Sequence, residues 1–214
     1  MPALRDDIDP DGLLEYSVVF SDRSLNSMSD AFGQVMRDIS RIMKTAYGAT
    51  SVAVVPGGGT YGMEVIARQF TTDARVLVIR NGWFSYRWSQ IIEAGRLATS
   101  TQVLAARQLD DTTDAPFAPV PLDEILAAIR DEQPDVVCCP HVETSAGLMV
   151  PDSFIAAVAE AVHEYGGLFV LDCVASGTVF VNLQETGVDV LLTAVSSTST
   201  PVCLLYTSPS PRDS

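Results

Sequence analysis

The sequence predicts an α/β fold, a mostly parallel sheet with helices on both faces. Three observations predict it. Strand-like and helix-like segments alternate along most of the chain. The strand-like segments are short, continuously apolar runs, as expected of strands covered on both sides. A glycine-rich turn, "PGGGTYG", carries the first strand directly into a helix. With 214 residues, 47% of them hydrophobic, the chain can bury one large core.

In order, "SMSDAFGQVMRDISRIMKTAYG" spaces Met28, Phe32, Val35, Met36, Ile39, Ile42 and Met43 for a helix. Ser27 or Ser29 can cap its start and Gly48 can end it, with Lys44 in the last turn. "SVAVV" is a short buried strand, and the helix "GMEVIARQF" follows the glycines. "RVLVI" is a strand, "SYRWSQIIEAG" a helix and "STQVLAA" a weaker strand. "DDTTDAPFAPVP" is a loop before the amphipathic helix "LDEILAAIRDE". The strand "DVVCC" comes next. "PDSFIAAVAEAVHEYG" is a helix opened by Pro151 and closed by Gly166. "LFVLD" and "VDVLLTA" are the last two strands. Ligands of such sheets bind at the carboxyl ends of the strands. That directs attention to Gly57 to Tyr61, Asn81 to Phe84, His141 to Gly147 and Asp172 to Ser176.

A net charge of −14 argues against nucleic acid or an anionic membrane as the main partner. No apolar run is long enough to span a bilayer. "MPALRDDIDPDG" is acidic and lacks the apolar stretch of a secretory signal, so a cytoplasmic protein is expected. Cys138, Cys139, Cys173 and Cys203 form no CxxC pair and read as buried thiols, not as a zinc site or a disulfide framework. Of the 13 basic residues 12 are arginine; Lys44 is the only lysine.

"GGGTYG" matches GxGxxG, which lets backbone and a helix N-terminus approach an anion. A tight strand-to-helix turn explains the same glycines. A dinucleotide site would want an acid after the next strand, where Arg80 and Asn81 stand; Arg80 leaves an NADP 2′-phosphate open. No lysine follows the glycines, which excludes a P-loop. Asp172 ends an apolar strand, as a functional acid or as a cap, and small residues ("CVASG") follow it. "NGWFSYRW" places Trp83, Phe84, Tyr86 and Trp88 after a strand, at least two of them read as core. "HVETSAG" offers Glu143, Thr144 and Ser145, while His141, without an obvious partner, reads as structural. A Ser-His-Asp triad lacks the GxSxG elbow that would support it.

Taken together, "PGGGTYGMEVIARQ", "RNGWFSYR", "PHVETSAG" and "GGLFVLDCVASG" resemble the class V aminotransferases, nearest in look to the alanine–glyoxylate and serine–pyruvate branch. The resemblance covers residues 15 to 194 and implies the large domain of a fold-type I enzyme using pyridoxal phosphate. It implies that Gly58, Gly59 and Thr60 hold the cofactor phosphate. Phe84 would stack on the ring, Thr144 would bond near the ring hydroxyl, and Val174 would pack under the opposite face. Asp172 would be the catalytic carboxylate opposite the ring nitrogen. It further implies a homodimer moving an amino group from a small amino acid, alanine or serine, to glyoxylate or pyruvate. A sibling such as a desulfurase or epimerase, or a non-catalytic phosphate- or NADP-binding module, is the alternative.

The family also implies a lysine bonded to the cofactor after the strand matching "VDVLLTA". Here the chain reads "VSSTST", with Ser197 about where that lysine belongs. The remainder, "CLLYTSPSPRDS", carries prolines among small polar residues and is expected to hold neither a helix nor a central strand. It resembles the translation of a transposon-end adapter from sequencing libraries; a disordered natural tail is the alternative. The expectation is a truncated large domain with its arm at 1–194, a non-native or disordered tail at 195–214, and no C-terminal small domain. Such a chain would be inactive, with "VDVLLTA" left short of neighbours.

Overall fold

A computed structural model of the chain describes residues 27–195 and 202–207. The first helix, α1 (Asp30–Tyr47), starts at Ser29, whose hydroxyl accepts from the Phe32 amide. It ends at Gly48, whose positive φ of 62° closes the last turn. Next come β1 (Ser51–Pro56), α2 (Gly59–Phe70), β2 (Arg75–Arg80), α3 (Tyr86–Gly95) and β3 (Ser100–Ala105). A small hairpin, β4 (Arg107–Gln108) and β5 (Phe117–Ala118), interrupts the predicted loop before α4 (Leu122–Glu132). Then follow β6 (Val136–Pro140), the hairpin β7 (Val142–Glu143) and β8 (Leu148–Met149), α5 (Asp152–His163) and β9 (Leu168–Asp172). A short helix, α6 (Leu183–Thr186), precedes β10 (Val190–Val195) and β11 (Val202–Thr207).

The main sheet has the order β1-β11-β10-β9-β6-β2-β3. The pairings from β10 through β9, β6 and β2 to β3 are parallel, and β11 runs antiparallel to both its neighbours. The expected α/β fold is therefore present. Strands β2, β6 and β9 are apolar on both sides because both sides are covered, whereas β1, expected to be buried, lies at the sheet edge with no residue fully buried. Leu77, Ile79, Val137, Phe169 and Leu171 face α4 and α5, where Ile125, Ile129, Ile155 and Val162 pack. Val76, Val78, Val136 and Val170 face α2 and α3, where Met63, Ile66, Trp88 and Ile92 pack. Successive side chains point to opposite faces, so each strand feeds both cores.

Two expectations need correction. The stretch after residue 195 was expected to hold no central strand, yet Val202–Thr207 lies between β1 and β10. The prolines at 201, 209 and 211 flank this run rather than interrupt it, so every ladder donor within it is kept. Consequently β10 is not short of neighbours, being paired by β9 and β11. Residues 196–201, with Ser197, and 208–214 lie outside the described residues, as do residues 1–26.

Among the described residues no helix is long and apolar enough to cross a membrane, and no cluster of side chains could hold a metal. Cys138, Cys139 and Cys173 are free and buried, as expected; Cys203 lies in β11.

Candidate functional site

A cleft of about 330 Å³ opens at the carboxyl ends of the strands. Gly59, Thr60, Phe84, Thr144, Asp172 and Val174 line it, together with Met63, Ser85, Arg87 and Pro140. Six of the seven residues singled out from the sequence thus converge on one cavity. The seventh, Gly58, sits at the edge as the cap residue of α2, its carbonyl accepting from the Tyr61 amide at 2.9 Å.

The glycine turn is built for close approach. Gly57 has φ 140°, a conformation that side chains rarely adopt. Gly58 supplies no side-chain cap to α2, so the first amides of the helix are left to another acceptor. A Cβ at residue 59 would lie 2.8 and 2.9 Å from the two Val174 methyls. Only glycine lets the loop after β9 press against the start of α2. Thr60 Oγ1 accepts from Arg87 Nη1 at 3.0 Å, which brings a guanidinium to the rim. Arg87 belongs to the quoted motif "RNGWFSYR", but spacing alone did not single it out.

Asp172 forms the floor. It ends β9 on the face that also carries Val170, and 9% of it is exposed. Oδ1 accepts from the Val174 amide at 3.1 Å. Burial pushes the Asp172 carboxyl up to about 6. The Val174 bond opposes that rise, and so does the Trp88 indole N–H, which acts from outside hydrogen-bond geometry. The charge of Glu143 adds to the rise.

Phe84 and Thr144 come from two neighbouring turns. Residues 82–85 follow β2, and residues 144–147 join β7 to β8. Between them lies Glu143, 1% exposed, whose two oxygens accept from Phe84, Ser85 and Ser145. Burial alone would raise its proton affinity, but these bonds outweigh it and hold Glu143 below the usual carboxylate range. The sequence supplied Glu143 only as an acid in a loop; two of its partners, Phe84 and Ser85, are 59 and 58 residues away along the chain.

His141, read as lacking an obvious partner, has one: it is buried and its Nδ1 lies 2.7 Å from Ser176 Oγ. Its backbone amide donates to the Asp172 carbonyl at 2.9 Å. Arg80, the residue considered for a 2′-phosphate, faces a second cleft with Trp83, Tyr86 and Phe117, its guanidinium 5.2 Å from the Tyr86 ring centre. Lys44 is in the last turn of α1 and does not line the site.

No protein-family model matches the chain. Over 177 residues it is 32% identical to a 2-aminoethylphosphonate–pyruvate transaminase of Burkholderia mallei, and 29% identical to one of Paraburkholderia phymatum. Each alignment covers 80% of this chain and 45% of the relative, so the chain spans about half the length of the curated relatives it matches. Among solved structures it resembles alanine–glyoxylate aminotransferase from Nostoc sp., with a TM-score of 0.72 and 23% identity over 88% of this chain and 48% of that one. Ureidoglycine–glyoxylate aminotransferase from Bacillus subtilis superposes with a TM-score of 0.72 at 18% identity, covering 87% of this chain and 47% of the other. The chain therefore has the fold of about half of an aminotransferase chain, and in sequence it is similar to transaminases named for 2-aminoethylphosphonate and pyruvate.

Proposed function

We propose that this chain is the cofactor-binding portion of a transaminase that uses pyridoxal phosphate. The observation that carries this reading is the convergence of Gly59, Thr60, Phe84, Thr144, Asp172 and Val174 on one cleft at the strand ends. The residues suit the group. The amides at the start of α2 are uncapped and can meet a phosphate, with Thr60 and Arg87 beside them. The bare Cα of Gly59 leaves that approach open, since any side chain there would meet Val174. Phe84 offers an aromatic face, and Val174 an apolar surface in the same cleft.

Bound pyridoxal phosphate supplies an electron sink. Asp172 would serve that sink by accepting a hydrogen bond from the ring nitrogen and holding its proton in place. Burial that costs the Asp172 carboxylate dearly becomes useful once a cationic N–H meets it. Thr144, in the same cleft, would hydrogen-bond near the ring hydroxyl.

The substrate reading is coarser. The names of the relatives support pyruvate or glyoxylate as amino acceptor. The amino donor is a small amine: alanine or serine by the motif resemblance, 2-aminoethylphosphonate by the relatives. The full-length protein would be a homodimer.

Lys44 is the only lysine and lies outside the cleft. The chain as it stands therefore holds the cofactor without a covalent bond and does not turn over. The test is equilibrium dialysis of residues 1–214 with pyridoxal phosphate, followed by borohydride. Reversible binding that weakens in Asp172→Asn, with no reduced adduct, is expected. Binding indifferent to Asp172→Asn, or none, would refute the reading.

A further inference from the structure

We propose that Glu143 is a positioning residue that locks the aromatic turn and the hydroxyl turn of the cleft into a single wall. The inference rests on the reading that Phe84 and Thr144 meet the cofactor.

The geometry is specific. Glu143 Oε1 accepts from the Phe84 amide at 3.1 Å and from Ser145 Oγ at 2.6 Å. Oε2 accepts from the Ser85 amide at 2.9 Å and from Ser85 Oγ at 2.6 Å. Ser145 Oγ in turn accepts from the Trp83 amide at 2.8 Å. Three successive amides, 83 to 85, thus end on the segment 143 to 145. Gly82 makes the approach possible: a Cβ there would lie 2.5 Å from Ser145 Oγ and 2.7 Å from Glu143 Cγ. Neighbours of Glu143 on both sides line the cavity: Val142 and Thr144 along the chain, Phe84 and Ser85 across the gap.

The chemistry demands a carboxylate. Each oxygen faces two donors, and all four acceptor positions are used. An amide of the same shape would turn an NH₂ toward one pair of donors. Among the described residues Glu143 has no ion-pair partner, so its buried charge is balanced only by amides and hydroxyls. A buried charge without a cation is costly, and well-paired apolar residues would stabilise the fold more simply. What the carboxylate adds is direction: it sets where Phe84 and Thr144 stand. Glu143 touches no reacting atom; it acts through the turn.

The test is amide hydrogen exchange on the full chain without cofactor, alongside dialysis with pyridoxal phosphate, for wild type, Glu143→Gln and Ser145→Ala. Glu143→Gln is expected to speed exchange at residues 84 and 85 about tenfold while β6 and β9 keep their protection. The dissociation constant for pyridoxal phosphate should rise by a similar factor, roughly tenfold. Ser145→Ala should speed exchange at residue 83 and weaken binding less. Wild-type exchange at 84 and 85, or faster exchange across the whole sheet, would overturn the proposal in favour of a merely structural carboxylate. If Glu143→Gln fails to fold, Ser145→Ala decides: unchanged exchange at 83 and unchanged affinity overturn it. If the wild-type chain binds no pyridoxal phosphate, the reading of the cleft fails, while the exchange data still judge Glu143.

Discussion

Replacing Asp172 by Asn should make the protein without cofactor more stable and weaken its affinity for pyridoxal phosphate. In the folded chain burial raises this carboxyl from 3.8 to about 6. The folded state therefore binds the proton more tightly than the unfolded state does. Stability contributed by the protonated form is complete below the unfolded value near 4, and is lost as the pH rises through about 6. Above that, the charged carboxylate opposes folding by up to about 3 kcal/mol, from two pH units at ~1.4 kcal/mol each. Asn has the same shape, keeps an oxygen for the Val174 amide and carries no charge. Its NH₂ group needs an acceptor, which takes back about 1 kcal/mol. The net gain at pH 8 is roughly 1–2 kcal/mol, or about 2–8 °C in Tm for a chain of this size. At pH 4 the gain should vanish. Paired melts of the two proteins from pH 4 to 8 measure this, because titrations common to both cancel in the difference. Affinity for pyridoxal phosphate should fall about 10- to 100-fold, as a charge-assisted hydrogen bond worth ~1.5–3 kcal/mol is lost. A difference in Tm that does not change with pH would refute the claim that Asp172 is held buried at a cost.

Gly59→Ala should lower Tm, because forcing a methyl against Val174 costs about 1–3 kcal/mol and helix propensity returns at most ~1. Adding Val174→Ala should recover most of the loss, and simple additivity in that double-mutant cycle would show the two are not in contact. Phe84→Ala should leave Tm nearly unchanged, since Phe84 is 54% exposed. It should weaken pyridoxal phosphate binding by an aromatic contact worth about 0.5–1.5 kcal/mol beyond area burial, and an unchanged dissociation constant would remove Phe84 from the site. Thiol labelling at pH 8, mapped by mass spectrometry, should spare native Cys138, Cys139 and Cys173. Burial pushes all three thiols up, Cys173 to about 12; rapid labelling of any of them in the folded chain would contradict that core.

Most elements were legible because their signals are local. Helix α1 shows its spacing, its Ser29 cap and its Gly48 end within one stretch of sequence. The apolar runs at β2, β6 and β9 have one explanation in an α/β chain, burial on both faces, and the two cores confirm it. The strand-end rule narrowed the search to four stretches, and the resemblance to class V aminotransferases then picked out Gly59, Thr60, Phe84, Thr144, Asp172 and Val174 within them. The hairpin β7–β8 is two residues a side, too short to carry a period. The place of β11 was missed because strand pairing is a long-range choice: prolines near a run announce a break, but not which backbone edges stand free to receive what lies between them.

What the sequence by itself determined is thus the order of elements, their apolar faces and the small residues that open a cleft. Only the tertiary structure decided which distant groups meet there. Arg87 reaches Thr60 across 27 positions, Ser145 reaches Trp83 across 62, and Glu143 gathers Phe84 and Ser85 from another turn. Hydrogen bonds of this kind carry no spacing rule, since their geometry is set by how the sheet stacks its strand ends side by side. The raised proton affinity of Asp172 has the same origin: a carboxylate at a strand end is ordinary in sequence, and becomes costly only when α2, α3 and the loop after β9 close water away from it.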